Sequence, residues 1–401
     1  MKRLTKFIHD VLLSWANELR LIFKDKGVLM FLFVLPLAYP IIYALIYDKE
    51  VATDVPIVVV DQCNTPESRR LVRYADASQY AAFVGYASDM ADAERALKEK
   101  KAYGILLIDK DFSKHIHRGE QAPVSLYSDM SLLIRYRSLL MALTDATQEI
   151  GKEIQVETLS IKGADAPKIP ATPTNTYIPL GNPQQGFATF LIPGILILIA
   201  QQSLLLAICM MGGATYERRR RNHGIDPLDT VRSGAVARIF GKGLVYPVVY
   251  IIPLLYLLFI VPRIFSYPQM GNFIDIILLN IPYLLAVTML GMTLQVFARE
   301  RESAFVIFVF TSVIFLFLSG IIWPLYDMNP LFKFFSSCCP STWAMQAFER
   351  INANGATLND VAHEYHILWL QVVVYFFTAL ATNRYSTIRL KAGQCKKAVV
   401  K

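Results

Sequence analysis

The chain has 401 residues, 54% of them apolar and 18% charged, and its mean hydropathy is +0.38. Soluble domains carry about 25% charged residues, so the composition points away from a purely soluble protein. The net charge of +8 would suit a nucleic-acid binder, but the basic residues sit beside apolar blocks, so no nucleic-acid partner is expected. Cys63, Cys209, Cys338, Cys339 and Cys395 form no CxxC pair, and neither a zinc site nor a disulfide framework is indicated.

In residues 1–26, Leu4, Phe7, Ile8, Val11, Leu12, Trp15, Leu19, Ile22 and Phe23 recur at helical spacing, with charged residues assigned to the other face. Charges interrupt every apolar run, which disfavours a cleavable signal peptide. The segment reads as an amphipathic helix lying in the cytoplasmic leaflet, the alternative being a helix packed on another soluble element. A first span follows within 27–48. Residues 49–185 are long enough for a domain of their own. Val55 to Val60, Tyr103 to Ile108 and, more weakly, Pro123 to Tyr127 read as strands. Helices are expected over Pro66 to Tyr74, Met90 to Lys100 behind an Asp89 cap, and Ser131 to Ser160. That alternation predicts an extracytoplasmic α/β domain, joined to the next span by an extended Pro-rich connector, Pro167 to Pro183.

Residues 186–384 hold five further apolar stretches, near 187–212, 240–262, 274–297, 304–323 and 367–382, the last one marginal in length. Crossing a core of about 30 Å takes ~20 helical residues, and prolines such as Pro36, Pro193, Pro247, Pro253 and Pro282 are tolerated inside such spans. The predicted fold class is an α-helical polytopic membrane protein with six transmembrane helices and an inserted extracytoplasmic α/β domain. With the N-terminus inside, twenty-one Lys and Arg fall on cytoplasmic segments, whereas the two short outer loops hold Arg263, Lys333 and Arg350. Both termini are thus expected in the cytoplasm, the basic tail being 385–401. Gln201 and Gln202, mid-span, must face protein or a cavity, as helix-to-helix glue or as a substrate contact. Trp323 joins them as a candidate on the substrate path. Residues 324–365 combine Pro324, Pro330 and an aromatic cluster, read as segments dipping back at the outer face or as an ordinary aromatic belt.

No GxxxxGK[ST] loop occurs, so the chain has no phosphate cradle of its own kind for ATP. His363-Glu364-Tyr365-His366 lacks the HExxH spacing, and His115 with His117 would not share a helical face. No catalytic residue or metal ligand is assigned. The inside loop 213–239 is more informative. Its four arginines, Arg218 to Arg221, would anchor to anionic lipid, but Gly224, Ile225, Pro227 and Leu228 then form a turn and short helix better suited to docking a cytoplasmic partner.

At these residues the chain resembles the membrane (permease) subunit of the type-2 ABC exporter superfamily, of the multidrug-efflux-like kind. Local matches are Lys24-Asp25-Lys26 before Pro36, Glu217-Arg218 with Gly224, Gly241-Lys242, Ser319-Gly320 with Trp323-Pro324 and Pro330, and Pro340-Ser341-Thr342 ahead of Phe348, Arg350, Asn352 and Gly355. The loop departs from the family's usual Glu-Arg-Glu-x-Gly-Thr run, reading Glu217-Arg218-Arg219 and then Arg220 to His223. The resemblance implies a bacterial inner-membrane exporter subunit, not an enzyme, driven by ATP and Mg on a separate ABC ATPase subunit. It implies docking through Glu217, Arg218, Arg219, Gly224, Ile225, Pro227 and Leu228, and a second permease copy or relative. A periplasmic adaptor is compatible with it. Ser312, Ser319 and Gly320 are candidates for the permease-to-permease interface because small residues allow close helix approach. Few buried charges in the spans favour an apolar or amphipathic cargo. A non-transporting receptor or assembly factor using the external domain is the alternative.

Overall fold

The periodicity of the first 24 residues is realised as α1 (Lys2–Lys24). Asp25 breaks it. The Asp25 backbone is extended and its carboxylate accepts the N–H groups of Gly27 and Val28 at 3.1 and 3.3 Å, capping α2 (Lys26–Ile46). Within α2 the turn Met30–Val34 is widened to π geometry. Pro36 accounts for this, because its ring has no N–H for the Leu32 carbonyl and would collide with it in a regular helix. This computed structural model describes residues 2–47, 50–162, 181–182, 186–222, 226 and 234–399. Contacts divide the chain into two units, residues 49–178 and the rest.

Residues 49–178 run β1 (Val55–Asp61), α3 (Pro66–Asp76), β2 (Ala81–Tyr86), α4 (Met90–Lys98), β3 (Gly104–Ile108), α5 (Phe112–Arg118), β4 (Val124–Ser128) and α6 (Leu133–Lys162). The sheet order is β2-β1-β3-β4; β1 is parallel to β2 and β3, and β4 is antiparallel to β3. Ile57, Val59, Leu106 and Ile108 pack with Leu71 and Val72 of α3 and Leu139 and Ala142 of α6, while Val58, Val60 and Ile105 pack with Ala93 of α4. Helices on both faces are what make β1 and β3 near-continuous apolar runs. A capping box of Thr65 and Ser68 starts α3, and Asp89 accepts the Asp92 N–H to start α4. The expected strands and helices are all present. Two elements, β2 and α5, go beyond the sequence reading. Most of the Pro-rich connector lies outside the described residues.

The other unit continues with α7 (Phe187–Arg221), α8 (Ala235–Ile264), α9 (Phe273–Leu294), α10 (Arg301–Leu318), α11 (Pro330–Ser337), α12 (Pro340–Asn354) and α13 (Ala362–Val399). Together with α2, the helices α7 to α10 and the Ala362–Tyr385 part of α13 are six helices long and apolar enough to cross a membrane. The apolar stretch of α7 is buried on nearly every side, with α2, α9, α10 and α12 around the helix. α13 packs on α9, and α1 lies along α8. That contact passes over Gly241, where a Cβ would stand 2.6 Å from the Val11 carbonyl oxygen and 2.5 Å from Ser14 Cβ. In α8 a second π turn, Tyr256–Ile260, precedes Pro262, and the Leu258 carbonyl that Pro262 cannot serve accepts the Gln269 side-chain N–H at 2.6 Å. α11 and α12, with 8 and 15 residues, are too short to span, and α12 ends on Gly355 at φ 67°.

Two expectations need correction. Glu18 does not sit on a charged outer face of α1; it is 4% exposed, because Trp15, Glu18, Leu19 and Ile22 follow the i, i+3, i+4, i+7 pattern of one helical face. The fifth span ends earlier than 323: α10 stops at Leu318, and Gly320, at φ 87°, turns the chain away.

Candidate functional site

The charged residues at the start of α2 and α10 and the end of α7 form one linked cluster. Besides capping α2, Asp25 pairs with the guanidinium of Arg301, the first residue of α10. The Arg301 backbone N–H in turn donates to Glu217 Oε1 of α7 at 3.2 Å. A carboxylate at each of these helix starts meets free N–H groups and the positive end of the helix dipole. Gly213 makes the approach of α7 to α10 feasible, since a Cβ there would lie 2.7 Å from the Glu300 carbonyl oxygen. One residue on, Arg218 Nε donates to Asp226 Oδ1 at 3.2 Å and its Nη2 to Thr215 Oγ1 at 3.0 Å. Arg218 and Arg301 also line an open cleft of about 430 Å³ with Lys24, Asp25 and Lys26. The chemistry of this end is therefore basic, braced by three carboxylates.

α1 is fastened to α8 through the buried carboxylate of Glu18: its Oε2 lies 2.8 Å from Nζ of the half-buried Lys242, and Tyr246 OH donates to its Oε1 at 2.8 Å. Of the expected docking residues, Glu217 and Arg218 belong to the cluster and Arg219 lines a second cleft beside Lys242. Gly224, Ile225, Pro227 and Leu228 lie outside the described residues.

The candidates inside the spans separate. Gln201 is fully buried and accepts the Ser341 N–H at 2.8 Å, tying α7 to α12; Gln202 accepts from Thr311 of α10 at 3.4 Å. Both hydrogen bonds are of the helix-to-helix kind. Trp323 is 56% exposed. Ser312 donates back to the Val309 carbonyl. Ser319 is fully buried in its own chain, donating to Leu316 O and accepting from Ile321 N, and Gly320 packs against Gln346 and Leu325. Ser319 therefore offers no surface to a second copy, whereas the same helix exposes Phe305, Val309, Phe310, Val313 and Phe317.

In the α/β unit a polar knot closes the carboxyl end of β1. Ser68 Oγ donates to Asp61 Oδ2 at 2.6 Å, and Ser113 Oγ donates to Glu67 Oε2 at 3.0 Å, with His117 Nε2 3.7 Å from Glu67 Oε1. Burial pushes the Glu67 carboxyl up, but hydrogen bonds from its own backbone, Ser113 and Thr65, and the His117 field, outweigh that and leave it below its ordinary value. The knot fastens α3 and α5 to the sheet. No cluster of three or more His, Cys, Asp or Glu able to hold a metal occurs among the described residues.

The sequence reading missed Glu18 and Arg301 as functional candidates. The helical spacing of Glu18 could have flagged it; nothing local marks Arg301.

Comparison with known proteins gives a consistent picture. The family described as ABC-2 family transporter protein matches residues 26–381. The linearmycin resistance permease protein LnrN of Bacillus subtilis (strain 168) is 25% identical over 390 residues, covering 92% of this chain and 97% of that protein. ABC transporter G family member 20 of Dictyostelium discoideum is 24% identical over 306 residues, covering 73% of this chain. The chain spans 40% of that relative's length.

Proposed function

Since the chain belongs to the ABC-2 family of transporter proteins, a multi-pass membrane component of a transporter, we propose that it is the permease of an ATP-driven exporter powered by a separate ATPase. In this reading both termini and loop 213–239 face the cytoplasm of a bacterial inner membrane, and residues 49–185 lie outside. The ATPase docks on the basic end formed by α1, the end of α7 and the start of α10. The observation that carries the proposal is the Asp25–Arg301–Glu217 cluster, which joins the heads of two spans and the foot of a third. A push on any one of these segments moves the other two, as a rigid-body transition driven from this end requires. The absence of a Walker-type loop from the sequence supports placing ATP and Mg on the partner.

The cargo we propose is apolar or amphipathic, in keeping with spans poor in charge and with a relative whose name marks it as a resistance permease. A second permease, the same chain or a relative, would complete the pathway, and the exposed apolar side of α10 is the surface we assign to it.

Affinity purification from native membranes tests the reading. A stoichiometric Walker-type ATPase should stay bound, and Asp25→Asn should weaken its retention or uncouple its hydrolysis from cargo. Reproducible absence of any ATPase would overturn the proposal in favour of a receptor or assembly role. Orientation is checked by impermeant thiol labelling, which should reach a cysteine at the exposed Gln121 and miss one at the exposed Asn222.

A further inference from the structure

The sheet of the α/β unit has two edges, β2 and β4, and they are finished differently. At β2 the outward N–H of Phe83 is taken by Asp76 Oδ1 at 2.8 Å, so a carboxylate guards that edge. At β4 the edge is bare. Gln62 N–H donates to Ile108 O and Asp129 N–H to Tyr103 O, which sets the alternation: Gly104, Leu106 and Ile108 of β3 turn to β1, and Ile105 and Leu107 turn to β4. With Tyr127 opposite Ile105 and Ser125 opposite Leu107, the N–H and C=O groups of Val124, Leu126 and Ser128 point out of the sheet. Among the described residues no hydrogen bond reaches them. Ser125 and Tyr127 continue the face on which α4 covers Val58, Val60 and Ile105, yet both are exposed, Tyr127 by 47%. The strand holds neither charge nor proline, the common guards of an edge. Just beyond it Met130, Leu132 and Leu133 are exposed as well. An open, uncharged edge beside apolar side chains is a template for one more strand.

We infer that this strand comes from a second copy of the chain, β4 pairing antiparallel with β4 across a two-fold axis at Leu126. The sequence Val124-Ser125-Leu126-Tyr127-Ser128 is self-complementary in that register. Leu126 meets the partner's Leu126, Val124 meets the partner's Ser128, and Tyr127 meets the partner's Ser125. Off the axis a large side chain always stands opposite a small one, and no like charges meet, as a contact of one patch with itself requires. The outward backbone groups then bond to their counterparts, and two four-stranded sheets become one continuous sheet. The inference calls for a second copy and for neither ATPase nor cargo, so it can fail while the transport reading stands, and the reverse.

The test uses the full chain in membranes of the expressing cells. Two differently tagged copies are coexpressed, one with Ser125→Cys and the other with Tyr127→Cys, and the membranes are mildly oxidised. In the proposed register these positions form a non-hydrogen-bonded pair with Cα atoms about 4.5 Å apart, within reach of a disulfide. The expected result is a reducible dimer carrying both tags and absent from wild-type membranes, which hold the same native cysteines. Two copies that both carry Ser125→Cys place their thiols diagonally across the axis, about 7–8 Å apart, and should link little. Val84→Cys with Tyr86→Cys, exposed but on the guarded β2 edge, should give no such band. A missing dimer although maleimide reaches both thiols overturns the inference. So do equal linking by the Ser125→Cys pair or by the β2 pair, and linking to a foreign protein instead of the second copy. Should either variant fail to fold, hydrogen exchange in the unaltered protein decides: the amides of Leu126 and Ser128 should be as protected as that of Tyr127, and free exchange at those two positions overturns the inference.

Discussion

Replacing Gly241 by alanine tests how closely α1 is held to α8. A Cβ at this position would meet Ser14 Cβ at 2.5 Å, Val11 O at 2.6 Å and Trp15 N at 3.2 Å. None of these is the end of a flexible side chain, so relief has to come from moving a helix. Ordinary contact begins near 3.4 Å, so α1 must retreat by about 0.8 Å, which would lengthen and weaken the Glu18–Lys242 ion pair, now at 2.8 Å. Overpacking of this kind costs about 1–3 kcal/mol. Alanine also favours helix by roughly 0.8–1 kcal/mol over glycine, but that gain falls on α8 and leaves α1 unaided. Hydrogen exchange therefore reads the effect better than a global melt. Amides of α1 should exchange about 5- to 150-fold faster, the range that 1–3 kcal/mol implies. Gly151→Ala, in α6 with nothing within 4 Å of its Cβ, should leave α1 exchange as it is. A folded Gly241→Ala protein with unchanged α1 exchange would refute the close packing of the two helices.

Glu18→Gln should destabilise the detergent-extracted protein by about 1–3 kcal/mol, because it leaves the half-buried Lys242 without its carboxylate, and the double variant with Lys242→Met should recover part of that loss. Additive effects in that cycle would argue against the pair. Gln269→Leu leaves the Leu258 carbonyl unserved beside Pro262 and should cost about 1–3 kcal/mol in a thermal or denaturant melt; a neutral result would mean that water or lipid fills the role. Glu67 is held below the ordinary glutamate value of 4.5 in the folded chain, so its contribution is complete above that pH and is lost as pH falls through the folded value. Exchange protection of α3 and α5 should accordingly drop as the medium is acidified below about 4.5, and Glu67→Gln should flatten that drop.

The spans were legible because each is an uninterrupted apolar run near the length a bilayer demands, and β1 and β3 because Val55 to Val60 and Tyr103 to Ile108 are buried on both faces. β2 was not, since Ala81, Ala82 and Gly85 are poor strand formers and, at the sheet edge, Val84 and Tyr86 stay exposed. α5 is a single short helix of seven residues, below the length at which periodicity speaks. At the candidate site, Glu217 and Arg218 stood out beside the arginine run. Their partners did not, because Arg301 meets Asp25 across 276 positions and Lys242 meets Glu18 from another helix altogether. Long-range pairing leaves no local trace. Ser319 is the opposite case: a small residue at a helix end reads as a seam between chains, whereas its side chain is buried within its own.

The two wide turns, Met30–Val34 and Tyr256–Ile260, give α2 and α8 a latitude in length that the other spans lack. In each, the backbone N–H closing the turn reaches five residues back, from Leu35 to Met30 and from Val261 to Tyr256. Each turn thus accommodates one residue more than a regular helix would. Deleting a single residue there would restore ordinary winding in place, whereas the same deletion elsewhere in a span swings every later side chain by about 100° around the axis. Chains of this architecture that differ by one residue within the first or third span can therefore keep the same faces turned inward, with the change in length absorbed at these two points.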